Sequence, residues 1–245
     1  MVIKEGDIVF IDYVGYIADS NEVFDTTIEE EAKKAGIYKA DYTYEPVIVA
    51  VGKGWVIKGL EESLVGKKEG DEYTVEIPAE KGYGERDPKK IKVFTEKRLR
   101  ELGVKGRIAP GEVILVNNVP AVVRVVSGGR VLIDFNPPLA GKTLRYKVTV
   151  KKICKSLREK IKAIIQRRSK EILSNAKIKI SEKMGIVEVS LGDYTLKNPT
   201  LSITKKDIAE DILSVIDKIN KVKFIEEVAR EEPQKQVQGA GQEDT

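Results

Sequence analysis

GKGWVIKGLEESLVGKKEGDEYTVEIPAEKGYGE, residues Gly52 to Glu85, changes conformational signal three times within one short segment. Gly52-Lys53-Gly54 reads as a turn, and Ile57, Leu60 and Leu64 then recur at helical spacing until Gly66 stops them, which predicts a short helix with one buried stripe. Tyr73 to Ile77 alternates as a strand and ends at Pro78, and Gly82-Tyr83-Gly84 marks a further turn. The glycines do not form a phosphate cradle: neither GxGxxG nor GxxxxGK[ST] is present. Glu61 and Glu62 are consecutive and therefore project about 100° apart on a helix, so they are expected to be surface charges rather than an acid/base pair.

Upstream, Ile8 to Ile17 is β-branched and aromatic, and Asp19-Ser20-Asn21-Glu22 separates it from a second short run at Val23-Phe24, giving strand, turn, strand. Thr27 to Ala35 has helical composition and stops at Gly36, and Val47 to Val51 is a further strand. Downstream, the texture changes at Arg86. Lys89 to Phe94 is strand-like, Thr95 caps a helix reaching Leu102, and Asn117-Asn118 and Ser127-Gly128-Gly129 each signal a hairpin. Asn136 to Gly141 breaks this compact unit, and Thr143 to Ile153 returns to alternating strand.

Beyond Cys154 the hydrophobic period moves from two to near 3.6. Ser156 and Glu159 form a capping-box pair ahead of Leu157, Ile161, Ile164, Ile165, Ile172 and Leu173 on one long helix. Strands at Ala176–Ile180 and Ile186–Leu191 flank a turn at Met184-Gly185. Thr204 then caps a helix with Ile208, Ile212, Val215, Ile216 and Ile219 inward, before a last strand at Lys223–Val228. The expected result is an αββαβ domain over residues 155–230, followed by a disordered tail, 231–245, with little apolar content to bury.

Composition narrows the chemistry. The chain has no histidine and a single cysteine, Cys154, so histidine relays, an HExxH zinc site, an intrachain disulfide and a cysteine zinc cage are all excluded. Catalysis must rest on carboxylates, lysine, tyrosine, hydroxyls and backbone dipoles, or on shape and desolvation. The longest uncharged stretch, Val113 to Val123, is far shorter than the roughly 20 residues that span a bilayer, and charges interrupt the first dozen positions. A soluble cytoplasmic protein with no membrane contact is expected. Abundant Lys and Glu with few Cys, Met, Gln and Asn resembles thermophile composition. Lys155 to Lys183 holds ten Lys and Arg against Glu159, Glu171 and Glu182, a solvated helix face or a surface for RNA or the ribosome.

VFDTT (Val23 to Thr27), taken with Gly52 to Glu85, resembles the FKBP family of peptidyl-prolyl cis-trans isomerases in both order and spacing. Arg86 to Ile133 interrupts that domain where its flap belongs, and DFNPPLAGKTLRYKVTV (Asp134 to Val150) supplies the returning strand, similar to the insert-in-flap arrangement of SlyD-type and archaeal members. The Thr27 to Tyr44 insertion and the extra carboxy-terminal domain resemble the long archaeal subtype. The resemblance implies an α+β fold. An antiparallel half-barrel sheet wraps a short helix over residues 1–85 and 134–154, a β-rich insert occupies 86–133, and the αββαβ domain follows.

It also implies a prolyl pocket walled and floored by Tyr13, Phe24, Val47, Val56, Ile57, Leu60, Tyr83 and Tyr146, with Asp25 as its polar wall. The catalytic trio would be Asp25, Ile57 through its backbone N–H, and Tyr83 through its hydroxyl. Leu60, Val47 and Tyr146 depart from commoner family residues, which keeps a proline-binding scaffold of little turnover open as an alternative. No cofactor is implied, and with no histidine-rich tail, metal binding is not carried over. In the insert, Val93, Phe94, Ile108, Ile114, Val119 and Val122 are expected to offer a chaperone surface to unfolded or partly folded polypeptides bearing X-Pro bonds. The carboxy-terminal domain would dock on RNA or the ribosome, or pair two subunits through the Ile172/Leu173 or Ile208/Ile212 faces.

Overall fold

The computed structural model describes residues 1–192 and 201–227, and the chain separates into compact units at Lys155/Ser156. In the first unit, β1 (Ile8–Ile17) is the spine of a five-stranded antiparallel sheet. Along one edge it pairs over its whole length with β9 (Leu144–Ile153), whose far edge takes β4 (Glu72–Ile77). Along the other edge it changes partner: Ile8–Ile11 pair with β3 (Val47–Ala50), whereas Val14–Tyr16 pair with β2 (Val23–Thr26). Asp12 and Tyr13 fall in the gap between the two ladders.

Threonine hydroxyls fill that gap. Tyr13 N–H donates to Thr27 Oγ1 (2.9 Å), and Tyr13 C=O accepts from Thr26 Oγ1 (2.8 Å) and Thr27 N–H (3.1 Å). Thr27 Oγ1 also donates to Asp12 Oδ1 (2.9 Å). α1 (Glu29–Lys34) follows with Ile28 at its N-cap, a residue with no side-chain acceptor to offer. The backbone groups of a buried strand are paired even where the strand has no partner.

The short helix predicted after Gly54 is α2 (Lys58–Leu64), with Leu60 and Leu64 buried in a core shared with Ile3, Val9, Ile11, Val49, Ile77, Leu144, Val148 and Val150. Its approach to β4 requires Gly59, where a Cβ would lie 2.4 Å from Ile77 Cγ2. Glu61 departs from expectation. It is buried, and its Oε1 accepts from the backbone N–H of Lys53 (3.2 Å) and Gly54 (3.0 Å), fixing the turn that leads into the helix. Glu62 is the exposed member of the pair, bonded to Lys81 Nζ at 2.7 Å.

The insert carries its own antiparallel sheet, in the order β5 (Ile91–Thr95), β8 (Arg130–Asp134), β7 (Val119–Ser127), β6 (Val113–Val116). Thr95 caps α3 (Glu96–Glu101), accepting from Arg98 N–H. Asn117 and Asn118, at φ 50° and 63°, make the two-residue turn expected between β6 and β7. Leu99 and Val104 pack with Ile114, Val116, Ala121, Val123, Val131 and Ile133 into a separate core on one face of this sheet.

The second unit places α4 (Leu157–Arg168), α5 (Lys170–Asn175) and α6 (Leu201–Val215) with a three-stranded sheet ordered β10 (Lys177–Ser181), β11 (Ile186–Gly192), β12 (Lys221–Glu226). The Ser156/Glu159 capping box forms. The expected single long helix does not. Ser169 is extended (φ −161°, ψ 112°) and accepts from Ile172 N–H, starting a second helix one residue after the first ends. Thr204 lies inside α6 rather than capping it. Ile172, Ile208 and Ile212 are wholly buried in the unit's own interior, and of the four residues expected to pair two subunits only Leu173 is half-buried. Arg168 clasps Asp211 with Nε–Oδ2 at 2.6 Å and Nη2–Oδ1 at 3.0 Å, tying α4 to α6. The expected tail, 231–245, and Val228 lie outside the described residues. Among the described residues, no helix is long and apolar enough to cross a membrane.

Candidate functional site

Strand alternation puts the Tyr13 side chain on the same face of β1 as Val9 and Ile11, where it borders the core. Its ring lies 5.4 Å from that of Tyr146 on β9, and Phe24 on β2 lies 5.8 Å from Tyr146, both edge to face. Phe24 also stands 6.4 Å from Tyr83 at an interplanar angle of 83°. This closeness is possible because Gly15 lies under the rings: a Cβ there would be 2.9 Å from Phe24 Cζ and 3.2 Å from Tyr146 Cε1. Tyr13, Phe24, Val47, Val56 and Ile57 pack against the buried core to which Leu60 and Tyr146 belong. Of the eight apolar and aromatic positions named from the sequence, Tyr13, Phe24, Tyr83 and Tyr146 are thus linked ring to ring, and Val47, Val56, Ile57 and Leu60 belong to or border the core that Tyr146 shares.

Polar groups are few. Asp25 lies opposite Gly15 in the β1–β2 ladder, and its Oδ2 accepts a 2.7 Å hydrogen bond from the Tyr13 hydroxyl. Ile57, the residue before α2, donates its backbone N–H to no acceptor among the described residues. Tyr83 follows a single 3₁₀ turn at Ala79–Lys81, and Gly84 (φ +83°) bends the chain back so that its N–H reaches Ala79 C=O at 2.8 Å. That bend leaves Tyr83 at the rim, 42% exposed. The threonines of VFDTT and the carboxylate of Glu61 were not assigned from the sequence, although their hydrogen bonds hold Tyr13 and the turn before α2 in place.

The insertion after β2 also borders the site. Ile37, Lys39, Tyr42 and Tyr44 line a cavity of about 90 Å³ together with Phe24, Asp25 and Thr26. Tyr38 stacks on Tyr44 at 5.6 Å and Tyr42 meets Tyr44 edge-on at 4.9 Å, which makes an aromatic ledge. Its role could not be read from composition alone.

Burial pushes the Tyr13 phenol far above its usual value, and its hydrogen bond to Asp25 and that residue's charge push the same way. Burial likewise raises Tyr146 strongly and Tyr83 to a lesser degree, with Asp25 adding to both. All three remain neutral hydrogen-bond donors through the physiological range. An unfolded tyrosine ionises near pH 10. Above that pH the unfolded chain binds fewer protons than the folded one, so stability falls as pH rises. It is fully present below about pH 10 and is lost by up to about 1.4 kcal/mol per pH unit for each such phenol. The urea midpoint is expected to be level between pH 7 and 9 and to drop above 10, with a shallower drop in Tyr13→Phe; equal slopes in the two proteins would contradict this.

Residues 2–100 match the family described as FKBP-type peptidyl-prolyl cis-trans isomerase, and residues 157–229 match the FKBP26 C-terminal family. A short-type peptidyl-prolyl cis-trans isomerase of Methanocaldococcus jannaschii is 38% identical over 152 residues, 62% of this chain and 94% of the relative. The isomerase SlyD of Treponema pallidum is 32% identical over 123 residues, covering 48% and 68% of the two chains. The FKBP-type 16 kDa isomerase of Escherichia coli is 29% identical over 111 residues, covering 44% and 74%. An aromatic pocket with one carboxylate, built on an antiparallel sheet over a short helix and matched along nearly the whole length of the archaeal relative, places the chain in the FKBP family of peptidyl-prolyl cis-trans isomerases.

Proposed function

We propose that the chain rotates X-Pro bonds in the Tyr13–Phe24–Tyr146 pocket and that the insert holds unfolded polypeptide within reach of it. Rotation about an amide faces a barrier of about 18–20 kcal/mol because the twisted bond loses resonance. Neither proton transfer nor a metal is needed to lower it. An apolar pocket around the prolyl ring strips water from the planar, more dipolar amide and so favours the twisted one. Ile57 N–H and the neutral Tyr83 hydroxyl supply donors for two carbonyls of the peptide. The ring then turns against an anchored chain. Asp25 is assigned to positioning and electrostatics, holding Tyr13 by the bond described above.

The observation that carries the chaperone half is the uncovered face of the insert's sheet. Val93 lies opposite Leu132, which lies opposite Val125, and Val113 lies opposite Val122, so these residues share the face away from the insert's core. Val93, Val113, Leu115 and Val125 are 60, 65, 56 and 48% exposed. An aliphatic sheet face left in water is a mark of an interaction surface. Of the residues expected to form the chaperone surface, Val93 and Val122 stand on this face, and Phe94 and Val119 line a groove on the other. Ile108 is half-buried against the insert's core. Ile114, 5% exposed, belongs to that core and is removed from the surface.

The test compares refolding of a proline-limited protein with isomerisation of a proline tetrapeptide. In Val93→Ser/Val125→Ser the ratio of the protein rate to the tetrapeptide rate is expected to fall by roughly three- to fivefold, in keeping with about 0.8 kcal/mol per buried methylene lost. An unchanged ratio refutes the capture role. A parent protein that barely exceeds the uncatalysed rate on either substrate refutes turnover itself.

A further inference from the structure

The opposite face of the insert carries a groove of about 590 Å³ whose lining combines apolar and basic side chains. Phe94, Leu102, Val116, Val119 and Phe135 supply the apolar part, and Lys89, Lys90, Lys92 and Arg98 the charge; no acidic residue lines it. Lys90, Lys92 and Phe94 come from β5 and the turn before it, with β5 at one edge of the sheet. Arg98 is paired with Glu101 at 3.0 Å. Lys89, Lys90 and Lys92 form no ion pair among the described residues. The bias extends over the whole insert: Arg86 to Ile133 holds eleven Lys and Arg against four acids.

We propose that this groove receives client segments in which apolar residues are flanked by aspartate or glutamate. The proposal rests on the reading of the insert as a client-binding module and adds to it the class of segment selected. Exposed cations beside an apolar trough attract acids on either flank of a segment while the trough takes the neighbouring side chains. Basic flanks meet like charge. The unpaired lysines are exposed, so the selection depends on ionic strength, with a screening length of about 8 Å at physiological salt. The aromatic rings favour a peptide over a nucleic-acid strand. Phe94 and Phe135 pack against each other edge to face at 6.3 Å, and the Lys92 ammonium stands 5.9 Å from the Phe135 ring, so part of the aromatic surface on which a base would stack is already engaged.

Fluorescence polarisation with the full chain tests this, using labelled dodecapeptides that share one Leu-Phe-Val-Leu centre and carry either Asp/Glu or Lys flanks. At 20 mM salt the acid-flanked peptide is expected to bind roughly five- to tenfold tighter, as three exposed charge contacts would give, and the margin is expected to shrink at 150 mM. Lys89→Glu/Lys90→Glu/Lys92→Glu reverses the order, and the matching Lys→Gln set abolishes the preference. Equal affinity of the parent for both peptides overturns the selection and leaves client binding standing. Failure of the parent to bind either peptide overturns client binding and the selection together. A preference that survives both lysine sets overturns the assignment to this groove, and displacement of the acid-flanked peptide by single-stranded oligouridylate at lower concentration overturns it in favour of nucleic acid.

Discussion

Asp134→Ala is expected to loosen the insert from the domain that carries it and to cut assisted refolding of a proline-limited protein by roughly tenfold relative to the tetrapeptide rate. The carboxylate is wholly buried at the end of β8, where Asp134 lies opposite Ile91 of β5. Its Oδ2 receives Arg86 and both Nε (3.2 Å) and Nη2 (3.0 Å) of Arg124, and its Oδ1 receives the backbone N–H (2.9 Å) and side-chain amide (2.7 Å) of Asn136. Asn136 in turn exchanges bonds with the backbone of Asp87 at 2.9 and 3.0 Å. One acid thus ties residues 86–87 to residues 134–136, the chain's way into and out of the insert.

Without that acid, the buried backbone N–H of Asn136 loses its acceptor and two guanidiniums face each other unneutralised. Burial and the charge of Arg86 already lower the pKa of Arg124. Breaking a buried ion pair from one side costs about 3–5 kcal/mol. Both arginines are about 40% exposed, which moves the expected loss to about 2–3 kcal/mol. The refolding effect follows from effective concentration: a client held on a swinging insert spends less time at the prolyl pocket. Hydrogen exchange at residues 86–90 and 131–136 should accelerate, with Asp134→Asn intermediate. Unchanged exchange there would show that the junction is held by other contacts.

What was legible in the sequence divides along sequence separation. Caps and turns are local, so the Thr95 cap, the Ser156/Glu159 box and the Asn117-Asn118 turn appear where their residues predict them. The aromatic pocket was legible because several separated motifs keep their mutual spacing. The Asp134 cluster joins residues up to 49 positions apart, and no local pattern marks it. Val113-Ile114-Leu115-Val116 shows a different limit. An all-aliphatic strand reads as buried on both faces, and only the placement of α3 decides that Ile114 and Val116 are covered while Val113 and Leu115 are left in water. The break at Ser169 was hidden in the same way, since Ile172 continues the hydrophobic stripe across it.

Asp25→Ala is expected to lower kcat/KM on a proline tetrapeptide by about ten- to a hundredfold. A hydrogen bond to a charged group contributes about 1.5–3 kcal/mol, and each 1.36 kcal/mol is tenfold in rate. The bond at stake is the 2.7 Å contact from Tyr13, whose ring holds the edge-to-face contact with Tyr146 that defines one wall. Loss of the carboxylate leaves a mostly buried hydroxyl without its acceptor and the wall free to shift. Tyr13→Phe removes the other end of the same bond and leaves Asp25 facing the pocket unpartnered. If Asp25 works through Tyr13, the double variant loses no more than the worse single one, because both changes delete one interaction. If the carboxylate also acts on the substrate carbonyl, Asp25→Ala loses more than Tyr13→Phe and the double variant matches it. Losses that simply add would show two independent contributions and would sink the positioning role. The pH profile provides a second reading: with burial holding Tyr83 and Tyr146 neutral, kcat/KM should stay level from pH 6 to 9 in the parent, and a fall in that interval would mean that an ionising group, rather than the shape of the pocket, sets the rate.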